Sequence, residues 1–173
     1  MKLLNWNSNK IAFLKLNEGL KKDNQMRQAF QTLIIPYKIE GKKIKYSIYF
    51  RLKQNIWQFI SGGGEDAENP IQTAIREIKE ETGIEINSDY LLKLDSESTI
   101  PVVNVTGKFT WGKDIFVIKE YCFGMNISDK KIKLSNEHKK MEWHTYEECM
   151  KLLKYDSNKT ALWELNERLL REI

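Results

Sequence analysis

The sequence predicts a mixed α+β domain in which strands, one helix, further strands and two more helices follow in that order. Alternating apolar residues at Ile44–Arg51 predict a strand. Asn69-Pro70 predicts a helix start, since Asn caps helices and Pro is tolerated in their first turn. Thr145-x-x-Glu148 is the capping-box signature of a later helix. A chain of 173 residues with 41% apolar content suits one domain with helices packed against a sheet.

The first part of the chain predicts an extension followed by three strands. Residues 1–25 are polar with one short apolar patch, so we interpret them as an N-terminal extension of unassigned structure, followed by a single domain at 26–173. A turn at Glu40–Lys42 joins the first two strands, and the third ends at Ser61–Gly64. From their β-branched and aromatic content, these strands are predicted at Phe30–Tyr37, Ile44–Arg51 and Ile56–Ile60.

The helix that begins after Asn69 is predicted to end at Thr82, because Gly83 is a typical helix stop. Its apolar residues follow helical spacing and predict one stripe that packs on the core: Ile71, Ala74, Ile75 and Ile78. Later strands are predicted near Tyr90–Ser98, Ile115–Ile127 and Met141–His144, and helices at Thr145–Leu153 and Asn158–Arg171.

Composition argues against several classes of protein. The longest unbroken apolar runs are four residues, far short of a membrane span, and no charged-then-apolar leader opens the chain. Cys122 and Cys149 are too few for a disulfide framework. The basic residues are scattered, and no recognised nucleic-acid module is present. We therefore expect a soluble, cytoplasmic protein that binds neither nucleic acid nor membrane.

The charge is distributed unevenly along the chain. The net charge is +4, which is a mild bias toward anionic partners. Between Gly62 and Glu85, however, seven acids oppose only Arg76 and Lys79, so this segment carries −5 and the remainder carries +9. A solvated acidic helix face and a divalent-cation site are both consistent with such a run of acids.

The spacing of three acids favours the cation site. At about 100° per residue, Glu77, Glu80 and Glu81 lie on one side of the helix, at the edge of its buried face. Clustered carboxylates repel each other, and Arg76 screens only one of them, so a hard divalent cation suits the rest. The glycines before the helix allow positive φ and close backbone approach, as expected where a loop meets a phosphate or a metal.

This segment resembles the Nudix family. It matches the Nudix box at the constrained positions of the pattern Gly62-x5-Glu68-x7-Arg76-Glu77-Ile78-x-Glu80-Glu81-x-Gly83-Ile84. The resemblance implies a Nudix fold, an α/β/α sandwich around a mixed β-sheet. It also implies Mg²⁺-dependent hydrolysis of a nucleoside diphosphate linked to another group, with Mn²⁺ able to substitute. By similarity, the metal ligands are Glu77, Glu80, Glu81 and the carbonyl of Ser61, and the pair that orients the helix is Glu68 and Arg76.

Outside the box, the chain resembles the dihydroneopterin triphosphate pyrophosphohydrolases of folate biosynthesis. The similar pieces are Trp57-Gln58, Glu137-His138 with Trp143, and Ser157-Asn158. By that similarity Glu137 is a further metal ligand or the general base, delivered from a loop opposite the helix. Which glutamate accepts the proton of the attacking water stays open at this point.

The same similarity suggests residues that contact substrate. Arg27, Ser61 and Tyr155 correspond to positions near substrate, and 106–111 to a substrate loop that carries Trp111. Arg51 follows directly on Phe50, which stands where the family has a substrate-contacting arginine. For Trp57, stacking on a substrate ring and packing in the core are equally consistent with the sequence.

The expected reaction is cleavage of a nucleoside or pterin triphosphate to the monophosphate and pyrophosphate, with dihydroneopterin triphosphate as one candidate substrate. A general dNTP or other nucleoside diphosphate hydrolase is the first alternative. The second is a nucleotide-binding Nudix module without catalysis, against which the complete set of box acids argues. Many Nudix proteins are dimers, so the resemblance also allows a homodimer.

Overall fold

The computed structural model describes residues 27–105, 111, 114–128 and 130–172. The predicted extension at 1–25 and most of the loop at 106–111 therefore lie outside the described residues. In the described part of the chain, seven strands form one mixed sheet with helices on both of its faces. None of the helices described there is long and apolar enough to cross a membrane.

The elements follow the predicted order. The strands are β1 (Arg27–Glu40), β2 (Lys43–Arg51), β3 (Ile56–Gln58), β4 (Ile60–Glu65), β5 (Leu91–Pro101), β6 (Val117–Asn126) and β7 (His138–His144). The helices are α1 (Pro70–Thr82), α2 (Tyr146–Leu152) and α3 (Asp156–Leu170).

β1 is the strand around which the sheet is organised. Its second half pairs antiparallel with β2, and its first half pairs antiparallel with β4. Its other edge pairs in parallel with β6, which places Gln31 beside Glu120, and β5 continues the sheet beyond β6. β2 also carries β3 and β7. The first half of β1 is therefore held between β4 and β6.

The two faces of the sheet bury separate hydrophobic clusters. On one face, Ile34 packs in a cluster with Ala74 and Ile78 of α1. On the other face, Leu33 and Ile35 belong to a cluster that includes residues of α2 and α3. Successive residues of β1 thus reach opposite faces, as the pleat of a strand requires. The layering confirms the predicted α/β/α sandwich.

Helix α1 has the predicted start and stop. The Asn69 side chain accepts from the Gln72 N–H while the Gln72 side chain accepts from the Asn69 N–H, which forms a reciprocal capping box. At the other end Gly83 adopts φ 68° and donates its N–H to the carbonyl of Lys79. A left-handed residue is cheap only for glycine, so the helix ends there.

The buried face of α1 is rotated from the predicted apolar stripe. Ile71 is 39% exposed, whereas Glu77 and Glu81 are buried together with Ala74 and Ile78. The prediction that the acids lie only at the edge of the buried face is therefore wrong for two of the three. The physical reason is the neighbour of the helix, since Glu77 packs against the side-chain-free backbone of β4.

The glycine run is a strand and not a loop. Gly62, Gly63 and Gly64 lie within β4, and the glycines with positive φ in the described residues are Gly41 and Gly83. The expectation of positive φ at these glycines is wrong, while the expectation of close approach is correct. A Cβ at Gly62 would stand 1.9 Å from the Glu77 carboxyl carbon.

Candidate active site

A cleft of about 880 Å³ opens where the first half of β1, the glycine strand β4, helix α1 and the start of α3 meet. This volume suits a small organic ligand. Of the predicted metal and catalytic residues, it is lined by Ser61, Arg76, Glu77, Glu80 and Glu137. Of the predicted substrate contacts, it is also lined by Arg27, Arg51 and Tyr155. The structure therefore brings both predicted groups to one opening.

Arg76 ties α1 to the glycine strand. Its Nε and Nη2 bond the two oxygens of Glu68 at 2.8 and 3.0 Å, and Nη2 also donates to the Gly63 carbonyl at 2.8 Å. Its Nη1 donates to Glu77 at 2.7 Å and lies 3.4 Å from Glu80. Only the forked guanidinium can serve these acceptors together, so a lysine here would leave several of them without a donor.

Glu68 supports this arrangement from behind the cleft. Its Oε2 also accepts from the Thr73 hydroxyl at 2.9 Å and from the Glu65 N–H at 3.0 Å. Partial burial acts to raise the pKa of Glu68, but the hydrogen bonds from Arg76, Glu65 and Thr73 outweigh it and hold that pKa below its ordinary value. Glu68 is therefore an ionised anchor for Arg76, which is the orienting role that the resemblance implies.

Burial disfavours the ionised form of Glu77, and the hydrogen bond from Arg76 offsets this only in part. Burial raises the pKa of Glu77 to about 7, against the lowering effect of Arg76 and with smaller contributions from Glu81 and Glu80. A buried carboxylate so disfavoured gains most from an added cation. Its position beside the glycine backbone is possible only because Gly62 has no side chain.

Glu81 lies deeper than the other two acids of α1. It is 3% exposed, and its Oε2 lies 2.7 Å from Nε2 of the buried His138 on β7. Its Oε1 lies 3.9 Å from Nη2 of Arg51. Glu81 does not line the cleft directly, but Arg51, which does, joins it to the opening.

Glu137 lies directly before β7 and lines the cleft. Its carboxylate receives a hydrogen bond from Nη2 of Arg51 at 2.6 Å, and its side chain is 63% exposed. Arg51 therefore stands between the acid predicted on the loop and Glu81 on α1. One arginine thus contacts both a predicted acid of α1, Glu81, and the predicted acid of the loop, Glu137.

The donor set fits a hard divalent cation in its chemistry. The acids of α1 and Glu137 offer carboxylate oxygens, and the Glu77 charge is only partly compensated. Among the described His, Cys, Asp and Glu side chains, no three surround one point as a ready-made metal site. Arg76, Arg51 and His138 currently engage these acids, so a cation bound by Glu77, Glu80, Glu81 and Glu137 requires them to exchange partners.

The two predicted tryptophans are placed differently. Trp57 lies away from the cleft lining: its ring contacts those of Phe50 and His144, and it packs against the hydrophobic cluster on the α2 and α3 face. Of its two interpretations, the structure supports packing. Trp111 donates from Nε1 to the carbonyl of Arg27 at 2.6 Å, next to the cleft.

Sequence reasoning missed the polar floor of the cleft. Gln31 of β1 and Glu120 of β6 are neighbours across the parallel pair, and both line the opening with Asn158. A signal was present, because Glu120 alternates in phase with Ile118 and Cys122, two apolar residues that are buried in the same strand. A side chain at this alternating position of the strand points toward the interior, where a buried acid needs a hydrogen-bonding partner.

The sequence profile of the NUDIX domain matches residues 48–164, a span that contains α1, Arg76 and Glu137. The chain belongs to the Nudix family. This confirms the family that the box predicts, and members of the family generally use divalent metal ions.

A solved Nudix structure shares most of the chain. A crystal structure described as a Nudix hydrolase from Listeria monocytogenes is 38% identical in sequence, covers 84% of this chain and 97% of its own, and superposes with a TM-score of 0.74. This agreement confirms the Nudix fold over the α/β/α sandwich.

Two curated relatives of this Nudix protein are named dihydroneopterin triphosphate diphosphatase. The one from Escherichia coli K12 is 28% identical over 79 residues, which cover 46% of this chain and 52% of that protein. The one from Haemophilus influenzae is 25% identical over 109 residues, which cover 62% of this chain and 69% of that protein. The matched part thus spans about half the length of the E. coli relative.

Proposed function

We propose that this Nudix protein is a Mg²⁺-dependent hydrolase of phosphoric anhydride bonds that cleaves a nucleoside or pterin triphosphate to the monophosphate and pyrophosphate. The observation that carries the proposal is that three acids, Glu77, Glu80 and Glu137, line one cleft together with Arg27 and Arg51. Acids that hold a cation and arginines that bind phosphate are what the reaction requires.

The residues divide the work between positioning and proton transfer. A bound divalent cation neutralises the phosphate charge and makes a water molecule more acidic. Arg76 holds Glu77 and the Gly63 carbonyl in fixed relation, so the acids keep their orientation. Arg27 and Arg51 are placed to bind phosphate oxygens, and the exposed Glu137 carboxylate can accept a proton from water once Arg51 turns to substrate.

The triphosphate substrate is supported by the relatives. The curated proteins from E. coli and H. influenzae that match this chain are named for the diphosphatase reaction on dihydroneopterin triphosphate. The cleft also offers a polar floor at some distance from the acids, formed by Gln31, Glu120 and Asn158. A substrate whose ring lies at this floor and whose phosphates lie near α1 is consistent with both facts.

The test is a substrate panel with the purified protein. Dihydroneopterin triphosphate, the four dNTPs, ADP-ribose and dinucleoside polyphosphates are incubated with Mg²⁺, with Mn²⁺ and with EDTA, and pyrophosphate and phosphate are measured separately. We expect metal-dependent release of pyrophosphate from a triphosphate. Release of phosphate instead, or turnover that EDTA leaves intact, contradicts the proposal, and cleavage of no compound favours a module that only binds nucleotides.

Glu137→Ala tests the role of the acid that directly precedes β7. We expect turnover to fall by about 100-fold or more, because a positioned acid or base contributes on that order to a proton-transfer step. The control is Glu142→Ala, which removes an acid that bonds Lys140 and lies on β7 outside the cleft lining. The measurement is kcat on the best substrate of the panel. Equal activity of the two variants would exclude Glu137 from the reaction.

A further inference from the structure

Glu120 is a buried acid at the floor of the cleft that neither the metal site nor the phosphate site uses. It is 2% exposed, yet its side chain lines the opening with Gln31, Ser157 and Asn158. It lies on β6 in the same phase as Ile118 and Cys122, so an apolar residue would suit the position as far as the fold is concerned. Its charge therefore calls for a functional explanation.

One oxygen of Glu120 lacks a partner. The Gln31 amide donates to Oε2, but Oε1 is buried and accepts no hydrogen bond from the residues that the structure describes. Burial raises the pKa of Glu120, and the contacts with Gln31 and Ser157 offset this only in part. A buried polar atom without a partner costs free energy, and it is rare in folded proteins unless something else fills the place.

The groups around Glu120 limit which kind of ligand could supply the missing hydrogen bond to Oε1. Three arginines, Arg27, Arg51 and Arg76, line the cleft elsewhere, and the hydrogen bonds and ion pairs of the described residues join none of them to Glu120. The neighbours at the floor are amides and a hydroxyl, of which the Asn158 Oδ1 already accepts from the Phe59 N–H at 3.3 Å. A neutral ligand edge that presents N–H donors to the carboxylate would satisfy the site.

The strand register sets the distance from this floor to the phosphates. Glu120 pairs with Gln31 and Gln31 pairs with Gly63, whose carbonyl is bonded to Arg76. Two strand spacings separate Glu120 from Gly63, or about 10 Å. A bicyclic ring and its sugar or side chain can span this distance when the ring lies at Glu120 and the phosphates lie near Arg76.

We propose that Glu120 recognises the amino-lactam edge of a guanine or pterin ring, in which a ring N–H and an adjacent exocyclic NH₂ both point at one carboxylate. This inference rests on the proposed function, because it assigns the ring of the same triphosphate. Adenine and cytosine present a single donor next to a ring-nitrogen acceptor, which a carboxylate repels. Glu120 therefore selects for guanine and pterin compounds against adenine and cytosine nucleotides.

The experiment compares ligands that differ by one group. Wild-type protein with Mg²⁺ is assayed on dGTP, dITP and dATP, since dITP keeps the ring N–H of dGTP but lacks the exocyclic amine. We expect kcat/KM to be highest for dGTP and roughly 10- to 100-fold lower for dATP, with dITP between them. No preference for dGTP over dITP overturns the inference while leaving hydrolysis intact.

Glu120→Gln changes the acceptor oxygen to a donor while keeping the shape. We expect kcat/KM for dGTP to fall roughly 10- to 100-fold and kcat/KM for dATP to rise, because the amide can donate to the ring nitrogen that the carboxylate repels, so the preference for dGTP disappears. The control is Glu164→Gln, a largely buried acid that bonds Ser96 outside the cleft lining, and it should keep the preference. A preference that survives in Glu120→Gln overturns the inference. If that variant does not fold, the comparison of ligands on wild type decides.

Binding separates this inference from the proposed function. Calorimetry without metal measures the affinity of wild type and Glu120→Gln for dGMP, dIMP and dAMP. If no triphosphate is hydrolysed but dGMP binds best and loses its advantage in the variant, the proposed function fails and the ring assignment stands. Equal or absent binding of the three monophosphates overturns the ring assignment whether or not hydrolysis occurs.

Discussion

Glu81→Gln is expected to lower turnover on the order of 10³-fold while leaving the fold in place. The carboxylate is 3% exposed and lies 2.7 Å from His138, a contact that an amide of the same shape can still make. What the amide cannot do is supply the negative charge that a divalent cation requires, and charge stabilisation by such a cation is worth several kcal/mol in reactions of this kind. The loss should therefore appear in kcat and not in thermal unfolding.

The control for this prediction is Glu85→Gln. Glu85 follows the same helix, is exposed and pairs with Lys79 at 2.7 Å, away from the cleft lining. Surface pairs of this kind contribute little, so both its activity and its stability should stay near wild type. If Glu81→Gln kept activity within tenfold of that control, the assignment of Glu81 as a metal ligand would be wrong.

Gly62→Ala is expected to lower turnover about 100-fold, although the change adds a single methyl group. The new Cβ would stand 1.9 Å from the Glu77 carboxyl carbon, so the carboxyl must leave its position and its bond to Arg76. A displacement of about 1 Å in a catalytic arrangement can cost about 100-fold in rate. Because a flexible side-chain end absorbs the clash, we expect only about 1 to 3 kcal/mol of destabilisation.

Gly63→Ala provides the matched comparison one residue along. Its Cβ would stand 3.2 Å from Nη1 of Arg27, a movable group, and its carbonyl remains available to Arg76. We expect a much smaller decrease in kcat than for Gly62→Ala, measured on the same substrate, together with a similar melting temperature. A decrease in kcat for Gly62→Ala no larger than a small decrease for Gly63→Ala would mean that Glu77 tolerates displacement, which would contradict its assigned role.

The parts of the fold that sequence predicts best are those decided by local interactions. The Asn69 cap and the Gly83 stop depend on residues within one turn of each other, and both are confirmed. The same holds for Thr145 and Glu148, which form the capping box of α2 as predicted. α3, in contrast, begins two residues earlier than predicted, at Asp156, where no side-chain cap marks the start.

The orientation of α1 depends on β4, the strand against which Glu77 packs, and not only on the apolar spacing within the helix. Apolar spacing selected Ile71 for the buried face, but the bare backbone of β4 allows Glu77 to occupy it, and Glu81 is buried beside His138. The glycine run predicted close approach without saying which side chain would use it. That choice is a matter of tertiary packing, which periodicity does not encode.

The floor of the cleft was unpredictable for a related reason. Gln31 and Glu120 are adjacent only because β1 and β6 pair in parallel, and nothing in either segment specifies that register. The sequence also could not separate the two interpretations of Trp57. They are separated only in the structure, where the Trp57 ring contacts the rings of Phe50 and His144. The box acids and Arg76, whose spacing lies within one helix, were predictable.

The parallel pairing of β1 with β6 has a consequence for how the protein matures during synthesis. A ribosome completes the entire box, through Ile84, before it has made any residue of β6. Until β6 (Val117–Asn126) has been synthesised, the first half of β1 lacks its parallel neighbour. The hydrophobic cluster that contains Ile34 and Ile78 then also lacks the residues that β6 contributes to it. Such pairing between distant segments forms slowly. The nascent chain thus carries all the acids of α1 well before it has the sheet that orients them.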